Sequence, residues 1–309
     1  MKKFRKYYIH ITLAAFCTFS LFSKSNAQYQ DELEDITGHW EASLVAGANA
    51  FFGDLGGNHG IGKPFIKDFN KSVTRPLYGV SLNYFKYSWL SIKAAVNYTN
   101  VFGADSLISN SGDAERWRYY RNLSFRSKIL EGSISAEVYP VMLFDKDVEV
   151  HTISPYLGLG IGLFHFNPQA FYQGQWIDLK PLRLEGEGFA EYPTRKPYNL
   201  LQVYLPATVG LKIYVNNTFA ASVGLIFRKT FTDYVDDIHT TYIDPALFDK
   251  YLTPAQAAIA KQLYSRSITP WKVKPGVFKA NPNDNDSYTT LFLTLSVRFG
   301  GGARFYYGG

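Results

Sequence analysis

The residues able to do chemistry are few and scattered. The chain holds six histidines and one cysteine. Beyond His10, the histidines are His39, His59, His151, His165 and His239, and none lies in a spaced metal motif. His165 falls on the outward face of a strand pattern, near its rim, where an imidazole paired with a serine would make a hydrolase. No serine stands beside it in the local sequence, so it reads as an interfacial histidine. Asp233, Asp236 and Asp237 in TDYVDD offer hard oxygen ligands and are weak candidates for calcium. Their spacing is not that of an EF-hand, and aspartates at a strand exit more readily accept hydrogen bonds from loop backbone. Seven further charges recur on the polar side of alternating segments: Glu41, Lys93, Glu131, Glu137, Lys212, Arg228 and Arg298. With both signs present, such a set can pair in a confined interior, as buried charges must. No catalytic residue, metal site or cofactor is expected.

The elements that position these groups are read from period-2 alternation. In NLLQVYLPATVGLKIYV, Leu201, Val203, Leu205, Ala207, Val209, Leu211, Ile213 and Val215 form one set, with Tyr204, Gly210 and Lys212 in the other. Asn216-Asn217 supplies a two-residue turn, since Asn tolerates positive φ. The return strand puts Phe219, Ala221, Val223, Leu225 and Phe227 on the apolar face and Arg228 and Thr230 on the polar one. Similar alternation predicts strands over Trp40–Phe51, Leu77–Tyr87, Leu90–Val101, Leu123–Val141, Ser154–Phe166 and Tyr288–Phe299. Inward Gly158, Gly160 and Gly162 leave room for large side chains reaching across from other strands. Lys212 and Arg228 are expected to find Glu131 or Glu137. Thr253 followed by Pro254 and AQAAIAKQLYSR marks a helix inside the longest loop.

Residues 1–27 read as a signal peptide, with a basic start, the apolar run Ile11 to Phe22 and a small-x-small site at Ser25-Asn26-Ala27. Cys17 lies inside it, so the mature chain has no cysteine chemistry. Removing Lys2, Lys3, Arg5, Lys6 and Lys24 brings the net charge from +6 to +1, which removes the case for nucleic-acid binding. Residues 28–38 form an acidic periplasmic lead, 39–299 the barrel and 300–309 a tail. The fold class is all-β: an eight-stranded antiparallel transmembrane barrel in the cell outer membrane, with short turns on the periplasmic side and long extracellular loops. Eight strands enclose a lumen about wide enough for its own side chains, so a packed plug is favoured over an open pore.

Several segments together carry a resemblance: GDLGG at Gly53 to Gly57, RNLSFRSKILEGSISAE at Arg121 to Glu137, SPYLGLGIGLFHFNPQAFYQGQWIDLKPLRLEGEG at Ser154 to Gly188, and RKTFTDYVDDIHTTYIDP at Arg228 to Pro245. They resemble the PorG-like outer-membrane barrels of Bacteroidota, associated with the type IX secretion system. The likeness runs from about Trp40 to Phe299. It departs at LRLEGEG, Leu182 to Gly188, and in the helical insertion around Thr253 to Arg266. The resemblance implies an OmpA-like eight-stranded barrel without enzymatic activity that partners periplasmic or outer-membrane secretion proteins. Asn167, Pro168, Thr232, Asp233, Tyr234, Asp236 and Asp237 are the loop residues that carry the motif. The competing readings are a small-solute channel and a surface-binding, adhesin-like barrel. Outer-membrane lipid is the one partner expected under all of them.

Overall fold

A computed structural model describes residues 38–55, 71–108, 112–144, 153–216, 218–269 and 273–300. The signal peptide, most of the lead and of the GDLGG loop, His59, His151, Asn217 and the tail beyond Gly300 lie outside the described residues.

Among the described residues nine antiparallel strands form: β1 (His39–Phe52), β2 (Arg75–Tyr87), β3 (Leu90–Ala104), β4 (Ser124–Val138), β5 (Ile153–Tyr172), β6 (Gln175–Asp178), β7 (Leu201–Tyr214), β8 (Phe219–Thr230) and β9 (Ser287–Phe299). Each of eight pairs with the next, and β9 returns to β1, so the sheet closes into an eight-stranded barrel. Only the short β6 stands outside the circuit, paired with the far end of β5. Closure satisfies every ladder and removes the edge, which is what permits a sheet to cross a bilayer.

The outward positions form a continuous apolar band. Leu44, Leu159 and Leu295 are 67%, 72% and 69% exposed, and the outward residues of every barrel strand follow suit. A soluble monomer does not leave a belt of that size open to water. From Leu291 to Phe299 the apolar outward run of β9 measures about 26 Å along the strand, enough when tilted to fill most of a bilayer's hydrocarbon. At the turn end the band finishes in Trp40 against Tyr84, rings 4.7 Å apart, and in stacked Tyr87 and Trp89. The protein is an outer-membrane β-barrel. Among the described residues no helix is long and apolar enough to cross a membrane.

The boundaries differ from the expected ones where proline or turn chemistry intervenes. β4 stops at Val138, because Pro140 opens a short helix α2 (Pro140–Phe144) that takes in Val141. β5 runs past Phe166 to Tyr172 and turns back through Gln173 (φ 47°) and Gly174 (φ 82°) into β6. The β7–β8 turn uses Asn216 through its side chain, whose Oδ1 accepts from the Thr218 and Phe219 N–H at 2.8 Å each, rather than through positive φ. The loop after β3 holds a helix, α1 (Asp113–Arg121), closed by Asn122 in the left-handed region at φ 56°. The long loop after β8 holds α3 (Leu247–Tyr251) and α4 (Pro254–Leu263). Thr253 and Gln256 cap α4 reciprocally, with Pro254 in its first turn.

Candidate functional site

Two regions could carry function: the lumen and the cap that the long loops build above it.

In the lumen the structure brings all seven predicted charges into pairs. Near the turn end Glu41 pairs with Lys212 and, at 3.5 Å, with Arg298. The Lys212 ammonium also lies 4.3 Å from the Phe85 ring centre and 5.2 Å from that of Tyr214. Glu137 accepts from Asn83 Nδ2 at 2.8 Å, Tyr139 OH at 3.1 Å and Lys93 Nζ at 3.2 Å. Towards the loops, Glu131 accepts from Arg228 Nε and Nη2 at 2.9 and 2.7 Å, Asn97 Nδ2 at 2.9 Å and Tyr288 OH at 2.7 Å. Arg228 thus takes the expected Glu131. Lys212 does not take Glu131 or Glu137 from β4, two strands away round the barrel; its ammonium donates to Glu41 on β1, three strands away on the other side.

A Cβ on Gly162 would stand 2.4 Å from the Tyr204 ring, and one on Gly210 would stand 2.7 Å from the Tyr156 ring. In both cases the room beside the glycine is taken by a ring from the adjacent strand. Between Glu131 and Arg228 a residual cavity of about 20 Å³ remains, bounded also by Lys93, Tyr204 and Phe292. That is room for roughly one water molecule. Around this cavity the paired charges and the Tyr204 and Phe292 rings occupy the lumen.

At the loop end, Phe51, Phe125, Ile129, Phe164, Phe166, Tyr204 and Tyr288 meet the loop residues Tyr198, Val235, Ile238 and Ala280 in one buried cluster. Above it the cap has its own core, in which Leu179, Leu182, Leu184 and Phe189 pack on Ile243, Phe248, Ala257, Ala260 and Leu263. Arg121 staples the cap. Its guanidinium forks onto both Asp105 oxygens at 2.8 Å and donates to the carbonyls of Asp54 at 2.7 Å and Lys279 at 2.5 Å. Glu185 accepts from the Thr240 N–H and hydroxyl at 2.7 and 2.8 Å. Sequence reasoning missed Asp105, Arg121 and Glu185, since isolated charges in aperiodic loops give no pattern to read.

The three weak metal candidates turn to separate partners. Asp233 Oδ2 meets His239 Nδ1 at 2.8 Å. Asp236 accepts from the Leu55 and Ile238 N–H at 3.2 and 3.1 Å. Asp237, in the left-handed region, accepts from Tyr198 OH at 2.5 Å. Among the described residues no group of three or more His, Cys, Asp or Glu is arranged to hold a metal ion. These aspartates brace the strand exit instead, together with Asp286, which accepts from the Val235 N–H at 2.8 Å. Burial pushes Asp233 up to about 12 and raises Asp236, Asp237 and Asp286 well above the usual carboxylate range. Burial likewise raises Asp54 to about 6 and Glu187 to about 7.

Of the other motif residues, Tyr234 stacks on Tyr198 with centroids 4.4 Å apart, and Thr232 accepts from the Tyr234 N–H at 3.2 Å. The Pro168 carbonyl accepts from the Leu179 N–H at 2.9 Å, while Asn167 donates to Asp178 Oδ1 at 2.9 Å on the outer wall. His165 is exposed on the outward face, in register with Leu130 and Leu201.

No known family model matches the chain, and no curated protein matches it. Among solved structures it is similar to Ail, the attachment invasion locus protein of Yersinia pestis, with TM-score 0.38 and 10% identity over 85% of this chain and 100% of that one. It is also similar to Neisserial surface protein A, with TM-score 0.37 and 12% identity over 85% and 98%. A third similar structure is outer membrane protein W of E. coli, with TM-score 0.32 and 12% identity over 85% and 98%. Likeness at this level leaves the functional reading to the residues themselves.

Proposed function

We propose that this outer-membrane barrel is non-enzymatic and acts by binding protein partners, as a component of or partner to the type IX secretion machinery. The observation that carries the partner-binding part is a lumen crossed by ion pairs beneath a folded cap. Glu131–Arg228 and Glu41–Lys212 pair inside the lumen, which supports reading the cap and the two rims as the working surfaces. The secretion assignment rests on the resemblance of the NLSF, FNPQA and RKTFTDYVDD segments to PorG-like barrels. Deleting the gene should leave secreted cargo trapped in the periplasm; normal secretion in the deletion strain contradicts the assignment.

A surface-binding, adhesin-like role is the second reading, favoured by the independent core of the cap, which gives the loops a fixed shape. Cap-exchange variants that secrete normally but lose attachment to a surface would select it. A passive channel would instead give stepwise conductance in planar bilayers, and the proposal expects none.

A further inference from the structure

On β3, β4 and β5 the outward face does not end in a plain aromatic rim. The ladder register puts Tyr98, Leu130 and His165 in one outward row, Asn100, Lys128 and Asn167 in the next, and Phe102, Arg126 and Gln169 above that. Lys128 thus stands on a lipid-facing position one step above Leu130, and it is exposed. A cation there is tolerated only at the headgroup boundary, where its stem lies on hydrocarbon and its ammonium reaches polar groups. The row above is an alternation of cations and rings. The Arg75 guanidinium sits 4.3 Å over Phe102, and that of Arg126 sits 3.9 Å over Trp176. Arg126 Nε also donates to Gln169 Oε1 at 2.9 Å, which fixes the plane of its fork. Among the described residues of these rows and the adjoining β6 the one acid is Asp178, whose Oδ1 already accepts from Asn167 and Gln169 at 2.9 and 2.6 Å. The shoulder is therefore net positive and rich in amide donors.

Below these rows, extending from β3, β4 and β5 onto β1, β2 and β7, the lipid-facing wall is hollow. A shallow apolar depression of about 870 Å³ is bounded by Val80, Ala94, Val96, Gly132, Ile134 and Leu163. The small residues Ala94 and Gly132 make the room; a Cβ on Gly132 would have only the Ala95 carbonyl oxygen near it, at 3.9 Å. A positive, planar-fork site above an apolar hollow matches a ligand with an anionic head and acyl tails.

We propose that the β3–β4–β5 shoulder binds an outer-leaflet lipid whose phosphate head is net anionic. Arg126 and Lys128 hold the phosphate, Asn100 and Asn167 supply further hydrogen bonds, and the acyl chains lie in the hollow around Gly132. Because the hollow contributes, the occupant is a lipid rather than a free phosphate ion.

The test is native mass spectrometry of the full mature chain in detergent, with monophosphoryl lipid A or phosphatidylcholine added. The wild type should retain lipid A in preference to phosphatidylcholine. The double variant Arg126→Gln/Lys128→Gln should retain about tenfold less lipid A. Lys86→Gln, at the opposite rim, should leave retention unchanged. Gly132→Leu, which fills the hollow without touching a charge, should also lower it. Heat-dependent gel mobility confirms that each variant is a folded barrel, and a single-site variant Lys128→Gln replaces the double one if that fails to fold. Equal retention of lipid A by wild type and the charge variants overturns the proposal, as does equal retention of phosphatidylcholine. Displacement of lipid A by millimolar inorganic phosphate alone, with Gly132→Leu without effect, would mark a free-anion site and overturn it too.

Discussion

Replacing Glu131 by alanine tests the packed lumen at its most connected point. Glu131 is 1% exposed and accepts four hydrogen bonds, two from Arg228 and one each from Asn97 and Tyr288. Its loss leaves Arg228 buried with Thr290 Oγ1, at 2.8 Å, as its remaining polar contact among these partners. Breaking a buried pair from one side costs about 3–5 kcal/mol, because the other charge stays in place uncompensated. The adjoining cavity of about 20 Å³ would grow to admit further water, which offsets part of this. A net loss of about 4 kcal/mol follows, close to a thousandfold in the folded-to-unfolded ratio. The assay is urea unfolding of the barrel refolded into phosphatidylcholine vesicles, followed by tryptophan fluorescence. The double variant Glu131→Leu/Arg228→Met removes both charges and should recover most of the loss, since well-packed apolar replacements of buried pairs are often neutral. A cost below about 1 kcal/mol for Glu131→Ala, or a double variant no better than the single, would refute the claim that this pair organises a dry lumen.

Other expectations follow from the wall and the cap. Gly162→Ala would press a methyl against the Tyr204 ring and the Gly132 carbonyl oxygen, 2.4 and 2.6 Å from the added Cβ, and should cost about 1–3 kcal/mol in the same urea assay, whereas Gly132→Ala should be near neutral. The cap should loosen as pH rises. A buried carboxyl with a raised pKa keeps a proton that the unfolded chain releases above about pH 4, so its stabilisation is full in acid and lost through pH 6 for Asp54 and pH 7 for Glu187, about 3 kcal/mol each. Amide exchange at Val235 and Ile238, corrected for intrinsic rate, should therefore be slower at pH 5 than at pH 8, and the reverse order would contradict the protonated cluster. Thr253→Ala removes the capping box of α4 and should cost about 1 kcal/mol locally, seen as faster proteolysis near Pro254 with unchanged barrel unfolding.

The barrel was legible because alternation is a direct consequence of one wall facing lipid and the other facing side chains. In β9 the outward Leu291, Leu293, Leu295, Val297 and Phe299 could be read without any knowledge of neighbours. The partner of Lys212 could not, since which strands face one another across the lumen depends on stagger around the whole closed sheet. Its pairing with Glu41 is a property of closure rather than of either segment. The cap was hidden for a different reason. The helix DAERWRYYR has no apolar stripe to announce it, and it is held from outside by Arg121 on Asp105 and two loop carbonyls. The β5–β6 hairpin did leave a signal, a Gln-Gly pair between aromatic, strand-forming flanks, of the kind that a two-residue turn requires. Arg126 and Lys128 were equally readable as the continuation of the outward alternation above Leu130.

A barrel that works through protein contacts at its cap and rims is tested by crosslinking intact cells and recovering it from the outer membrane. Secretion-ring proteins should come down with it. Recovery of the barrel free of any crosslinked protein partner would refute the proposed role.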